Sequence, residues 1–267
     1  MICLSFDIEE FDLPQEHGYD MPFERMMEIS RYGTNVILDT LRKHGVKATF
    51  FVTVNFAEHA PEEVSRIINE GHELASHGMN HTVFKPEDLL ESRLRLEQII
   101  GKPVHGYRMA RMMKVDEHAV SDAGYLYESS LNPTFIPGRY NNFTKPRNPF
   151  WQNGVIQMPV SVTPLVRFPL FWLAAHVLPP KLYRFLADTS LKKDGYFCTY
   201  FHPWEFYDLN SLMAEIKLPA MIRRNSGEVM HKILDGLISH FKDKGEEFST
   251  IFDLYNKYRK ILDTGNR

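Results

Sequence analysis

His77 and His81 stand four residues apart in the run His77-Gly78-Met79-Asn80-His81. On one helical turn, two imidazoles at that spacing face the same way and can hold one cation. A chain with twelve histidines also contains such pairs by chance. The setting after Gly71-His72-Glu73-Leu74-Ala75-Ser76, a turn at a strand end, is a poor place for core histidines. Asp7 and Glu9 follow directly on an apolar run. Acids there are ordinarily solvated, yet one of them could equally complete a His, His, carboxylate set that leaves positions for water and substrate. The other acid could then serve as general base. His202, in Phe201-His202-Pro203-Trp204-Glu205, is either a core histidine or a proton donor, because imidazole titrates near neutrality. Arg108 falls on another apolar strand-like run.

These groups act together only if the chain brings them together, and its hydrophobic pattern supplies the means. Residues 2–6, 46–54, 72–76, 105–109, 125–130, 155–160 and 196–201 read as strands, with a last short one at 247–251. Helical spacing covers 23–44 and stops at Gly45. Pro61 opens a helix that ends at Gly71, and Pro86 opens another that runs to Gly101. Residues 116–123, 170–189, 226–242 and 252–261 are also predicted helices. The stretch 133–151, rich in Pro, Asn, Gly and Arg, reads as a long loop, and 210–225 has no clear element. Alternating strands and helices imply a parallel sheet, open or closed into a barrel. The C-terminal strand ends of such folds form the functional face. Asp7, Glu9, His77, His81, Arg108 and His202 all fall at such ends. With no repeat or linker, residues 1–267 read as one domain.

Composition narrows the function classes. Basic residues number 31 and acidic ones 34, spread along the chain, which does not resemble the clustered basic face of a nucleic-acid binder. Cys3 and Cys198 read as buried strand residues, with a bridge between them left open. The N-terminus turns acidic after six residues and has no basic region, unlike a secretory signal, so a cytoplasmic location is expected. The most apolar stretch, 168–178, holds Pro169 and His176 and falls short of the roughly 20 residues a bilayer span needs. Residues 168–185 read either as a buried helix or as an apolar rim that meets a lipid-linked sugar or a membrane face, although no basic run accompanies them.

Taken in order, these residues resemble the polysaccharide deacetylases, the NodB-type carbohydrate esterases. Ser5-Phe6-Asp7-Ile8 looks like the first family motif, and Gly71-His72-Glu73 with His77 to His81 like the second. Gly106-Tyr107-Arg108 is similar to the third, Gly124 to Ser130 to the fourth, and Tyr200-Phe201-His202 to the fifth. His202-Pro203-Trp204-Glu205 is closest to a subgroup associated with surface-polysaccharide biosynthesis. The resemblance implies an α/β fold, a distorted (β/α) barrel of roughly seven parallel strands related to the TIM barrel. It also implies a metal-dependent hydrolase that removes acetyl from an N-acetylated sugar, free or lipid-linked. His77 and His81 would hold zinc, with cobalt, nickel or iron as alternatives. Asp7 would be the base, His202 the acid, and Arg108 the group that keeps Asp7 ionised and oriented.

Departures from the family pattern carry their own expectations. The second aspartate, the usual third metal ligand, falls on Ile8, so Glu9 is expected to take that role. Ala110 stands where the third motif has proline, and Arg111 either compensates or contacts an acidic substrate. The aspartate that orients the acidic histidine has no match, which leaves Glu128 or Glu205. Trp204, Tyr107, Phe135, Trp151 and Phe143 either stack on sugar rings or pack ordinarily. Two rivals follow: a metal-independent hydrolase of a small amide or ureide, if Ile8 abolishes the metal site, and a non-catalytic carbohydrate-binding relative.

Overall fold

A sheet of eight strands organises the computed structural model, which describes residues 1–265. In chain order the strands are β1 (Ile2–Ile8), β2 (Thr49–Val52), β3 (Glu73–Ser76), β4 (Gly106–Tyr107), β5 (Tyr127–Glu128), β6 (Phe135–Ile136), β7 (Tyr140–Asn141), β8 (Phe150–Gln152), β9 (Val155–Gln157) and β10 (Phe197–Phe201). Their spatial order is β10-β1-β2-β3-β4-β5-β9-β8, while β6 and β7 pair separately. From β10 to β9 every neighbour is parallel, and β8 runs antiparallel to β9. The expected parallel strands are therefore present, with an antiparallel edge added. Past β9, the Ser161 N–H donates to the Cys198 carbonyl at 2.9 Å. This bond ties the far flank back to β10 and curls the sheet into a distorted barrel.

Central parallel strands are covered on both faces, which is why β1, β2 and β10 are buried at every position. The Phe23–His44 helix has the predicted bounds, with Arg42, Lys43 and His44 in its last turn and Gly45 closing it at φ 66°. Cys3 and Cys198 face each other across β1 and β10, buried and unbridged. No described helix is long and apolar enough to cross a membrane.

Several expectations need correction. The predicted loop at 133–151 contains the short β6–β7 hairpin and most of β8. The predicted helix over 170–189 is two, Trp172–Val177 and Pro180–Asp194, because the Pro179-Pro180 pair cannot continue the first and can start the second. At 247–251 a single parallel bridge joins Phe248 to Ile2, where a strand was expected. Residues 46–54 form a shorter strand, after which Thr53 caps an unforeseen helix, Val54–His59, by accepting from the Phe56 N–H.

Gly33, in the Phe23–His44 helix, marks the closest approach between that helix and the turn after β10. A Cβ there would sit 1.8 Å from the Pro203 carbonyl oxygen. Only glycine lets helix and turn meet, and the turn carries Trp204 and Glu205. Gly33→Ala should therefore cost more than the roughly 1–3 kcal/mol of an ordinary overpacking change, despite alanine's better helix propensity. Urea denaturation checks this, and unchanged or increased stability would show that the close approach is not needed.

Candidate active site

The side-chain period of β1 separates the acids at its end. Alternation sends Ile8 into the apolar core, while Asp7 and Glu9 both line the cleft. A carboxylate at position 8 would need the strand to turn over, whereas one at position 9 shares the face of Asp7. Glu9 is buried, and its Oε2 has no hydrogen-bond partner among the described residues.

His77 and His81 lie at a strand-end turn as expected, but not on one helical turn. They lie on the irregular turn after β3, where Gly78 at φ 86° reverses the chain. The turn achieves what a helix was expected to achieve. His77 Nδ1 is 2.8 Å from the Arg108 carbonyl, and His81 Nδ1 is 2.8 Å from Asp12 Oδ2. Both contacts assign the ring proton to Nδ1 and turn an Nε2 lone pair inward. The two Nε2 atoms converge on Glu9 Oε2, at 3.3 Å from His77 and 2.9 Å from His81. His77 Nε2 is also buried without a hydrogen-bond partner. One donor atom from each of Glu9, His77 and His81 lies within 4.8 Å of the others. Two imidazole nitrogens and a carboxylate oxygen aimed at one point suit a tetrahedral divalent ion with an open position. Burial pushes the Glu9 carboxyl up, but the charge of His81 and the closeness of both imidazoles outweigh it and hold the group well below the usual range. His81, which burial alone would push down, is raised well above its ordinary value by Glu9 and Asp12.

Beside this cluster, Arg108 is fully buried and spends its donors on β1 and on the segment after β5. Nη1 donates to Asp7 Oδ1 at 2.6 Å and to Ser5 Oγ at 3.0 Å. Nε and Nη2 reach the Ser129 carbonyl and hydroxyl at 3.0 and 2.9 Å. The guanidinium carbon lies 4.0 Å from the centre of the Phe51 ring and 5.0 Å from that of Tyr200. Asp7 thus has one oxygen fixed, and its Oδ2 stands 4.0 Å from His202 Nε2.

His202 is oriented from behind. Glu205 Oε1 is 2.9 Å from His202 Nδ1 and accepts the His202 backbone N–H at 2.6 Å. Of the two acids considered, Glu205 is the one bonded to His202. Glu128 instead takes the Gln157 amide at 2.5 Å, with burial pushing it up to about 6. The other Glu205 oxygen is 3.0 Å from Nε2 of His176, a fully buried histidine whose Nδ1 has no partner. His176 Nε2 is thus the ring nitrogen placed to donate to Glu205. Trp204 stacks on the His202 ring at 4.9 Å and Trp172 meets it edge-on at 5.4 Å. Burial pushes His202 down, but the Glu205 bond and the charges of Glu9, Glu205 and Asp7 leave it raised. Glu205 is lowered, since its two histidines outweigh desolvation. His176 was not foreseen as part of the site; a lone histidine in an apolar helix was its only sequence signal.

The cleft over these groups measures about 1280 Å³ and includes Asp7, Glu9, His81, His202, Trp204 and Arg111 in its lining. Arg111 holds a left-handed φ of 57° and pairs with Asp12 at 3.3 Å and Glu16 at 2.8 Å, so acids of the chain itself already occupy it. Tyr107 corrects another expectation: it is a buried β4 residue outside the cleft lining, its ring against Tyr125 and its hydroxyl on Met109 Sδ. Phe135, Phe143 and Trp151 are exposed and also lie outside that lining.

Comparison with known proteins follows the same lines. The polysaccharide deacetylase family model matches residues 20–126, a span that includes His77, His81 and Arg108. The chain is 47% identical over 45 residues to a chitooligosaccharide deacetylase from Bradyrhizobium sp. (17% of this chain, 20% of that protein). It is 42% identical over 71 residues to the peptidoglycan-N-acetylmuramic acid deacetylase PdaA from Bacillus subtilis (27% of this chain, 22% of that protein). The matched segments thus span only about a fifth of these relatives. A Mycobacterium smegmatis structure assigned as a polysaccharide deacetylase superposes with TM-score 0.69 at 17% identity, over 97% of this chain and 90% of that one. In its motif-bearing strand ends, in the segment that the family model matches and in its fold, the chain is similar to the polysaccharide deacetylases.

Proposed function

We propose that the chain is a hydrolase that removes acetyl groups from an N-acetylated carbohydrate, with a divalent cation held by Glu9, His77 and His81. The observation that carries this reading is the convergence of two imidazole nitrogens on the buried, partnerless Glu9 oxygen, beside Asp7 and His202. When bound, such an ion would supply Lewis acidity to the acetyl carbonyl and to water. Zinc fits the donor set first, with cobalt, nickel and iron also compatible.

The chain's own residues divide the proton work. Arg108 holds Asp7 Oδ1, which leaves Oδ2 facing the cleft to take a proton from attacking water. Water oxygen bonds to the acetyl carbon, the C–N bond breaks, and the amine must leave with a proton to be a competent leaving group. His202 is built to give it. Its Nδ1–H is engaged by Glu205, and Nε2 is the nitrogen turned toward Asp7. Trp204 and Trp172 keep water from the ring faces, so the proton goes to substrate. The orphaned Glu9 and His77 atoms weigh against the metal-free amide hydrolase, and the complete Asp7, Arg108, His202 set weighs against a non-catalytic relative.

Acetate release from N-acetylglucosamine oligomers, after incubation with zinc, tests the reading. Asp7→Asn and His202→Ala should each cost at least roughly a hundredfold in kcat/KM. No release by the intact chain, or release that survives both changes, would refute it.

The pH profile follows from His202. A general acid works only while protonated, so activity should fall as pH rises through its value, which is raised from 6.5. Glu205→Gln removes the carboxylate that raises it and should move this basic limb to lower pH. A limb that stays in place would assign the proton donation to another group.

A further inference from the structure

Between Glu128 and Asp188 the sequence contains no acidic residue, although the chain has 34. The same stretch carries Arg139, Lys145, Arg147, Arg167, Lys181 and Arg184. It also exposes large apolar side chains to an unusual degree: Leu165 is 89% exposed, Val166 75% and Phe185 64%. Phe135, Phe143 and Leu182 are exposed as well. Scattered apolar residues need no explanation, but apolar tips inside a cationic region without acids do.

Contacts gather these residues into one lobe. An antiparallel bridge joins Val162 to Pro169, and the Thr163 N–H donates to the Phe168 carbonyl at 2.9 Å. The chain between them is a hairpin with Leu165 and Val166 at its tip. Leu165 and Arg167 hold left-handed φ values of 65° and 52°, a costly conformation for residues with side chains. Arg167 pins the neighbouring loop: its Nη1 donates to the Pro133 and Lys145 carbonyls at 3.2 and 2.6 Å, and its guanidinium lies 5.3 Å from the centre of the Phe143 ring. The Pro180–Asp194 helix closes the base of the hairpin through Ser190 Oγ on the Val162 carbonyl and Tyr183 on the Leu170 carbonyl, at 3.2 and 3.0 Å. Tyr183 and Ala187 are buried, while Leu182 and Phe185 face out between Lys181 and Arg184.

Acids from outside the stretch that touch or border this lobe are already engaged. Asp194 pairs with Arg147, Asp188 pairs with His240 and Lys244, and Glu117 accepts from Gln152 and Asn153. The 133–145 loop that borders the hairpin also supplies Gly138, Arg139, Asn142 and Lys145 to the rim of the cleft.

We propose that this lobe is an interfacial surface that seats the protein on an anionic bilayer, with the cleft rim brought beside the headgroups. Leu165, Val166 and Phe185 enter the boundary between headgroups and acyl chains, and Lys145, Lys181 and Arg184 meet the negative surface potential. A second copy of the chain fits the lobe less well, because a two-fold contact would set like charges against each other. Bilayer binding is read without turnover, so it stands or falls separately from the deacetylase reading.

The test is flotation of the full chain with vesicles of phosphatidylethanolamine and phosphatidylglycerol, against vesicles of phosphatidylcholine alone. Binding should favour the anionic vesicles, weaken with added salt, and fall more than roughly tenfold in Leu165→Glu, Val166→Glu. Both positions are exposed and outside the cleft lining, so the double variant should keep the melting temperature of the parent and its acetate release from soluble oligomers. Failure to float with phosphatidylglycerol would overturn the proposal, as would equal binding by the double variant. Light scattering that shows a dimer for the parent and a monomer for the double variant would overturn it too, by assigning the lobe to self-association.

Discussion

A fully buried guanidinium beneath the strand ends is the constraint on which the rest of the site depends. Taking the charge of Arg108 out of water costs several kcal/mol, and partners must compensate it by hydrogen bonding. They come from four strands: Ser5 and Asp7 on β1, Ser129 just past β5, and the aromatic faces of Phe51 and Tyr200 on β2 and β10. The carbonyl of the same residue fixes the ring of His77. One side chain and its backbone thereby set the proposed base, one imidazole of the proposed cation cluster, and the spacing between them. Lysine could not replace it, since a point charge cannot serve partners spread along a planar fork.

The acid side is organised by a second buried charge. Glu205 bridges His202 and His176, and the turn that carries it rests on the Phe23–His44 helix at Gly33. Both halves of the site thus follow one rule: a buried charge holds a cleft-facing group from behind, and the fold brings enough donors to make the burial tolerable. Positive charge stands behind Asp7, the proposed proton acceptor. Negative charge stands behind His202, the proposed proton donor. The Glu9, His77 and His81 cluster has the same arrangement, with Asp12 behind His81 as Glu205 is behind His202.

Much of this was legible in the sequence because parallel α/β folds put function at strand ends, and strand ends can be found by pattern. The sites of Asp7, His77, Arg108 and His202 follow from that alone. Glu9 was readable as a ligand candidate, and period two in β1 explains why it, unlike Ile8, shares a face with Asp7. The misses have physical causes. His77 and His81 match a helical spacing, but Gly78 at positive φ makes a turn that gives the same convergence by another route. Tyr107 was open to a sugar-stacking reading because its strand has only two residues, too short for an alternation pattern to reveal which way it faces. His176 was invisible as a site residue, since its partner Glu205 lies 29 positions away and meets it only through tertiary packing. The exposed hairpin at 163–168 was folded into an apolar run, and hydropathy does not report whether such a run points in or out.

Glu9 is proposed to stand in for the ligand missing at Ile8 and to make a cation site with His77 and His81. A crystal structure of the zinc-incubated protein, with anomalous data collected on both sides of the zinc edge, tests this most directly. One strong anomalous peak is expected about 2.0–2.2 Å from Glu9 carboxylate oxygen and from Nε2 of both histidines. No peak there, or one bound by the histidines with Glu9 turned away, would contradict it.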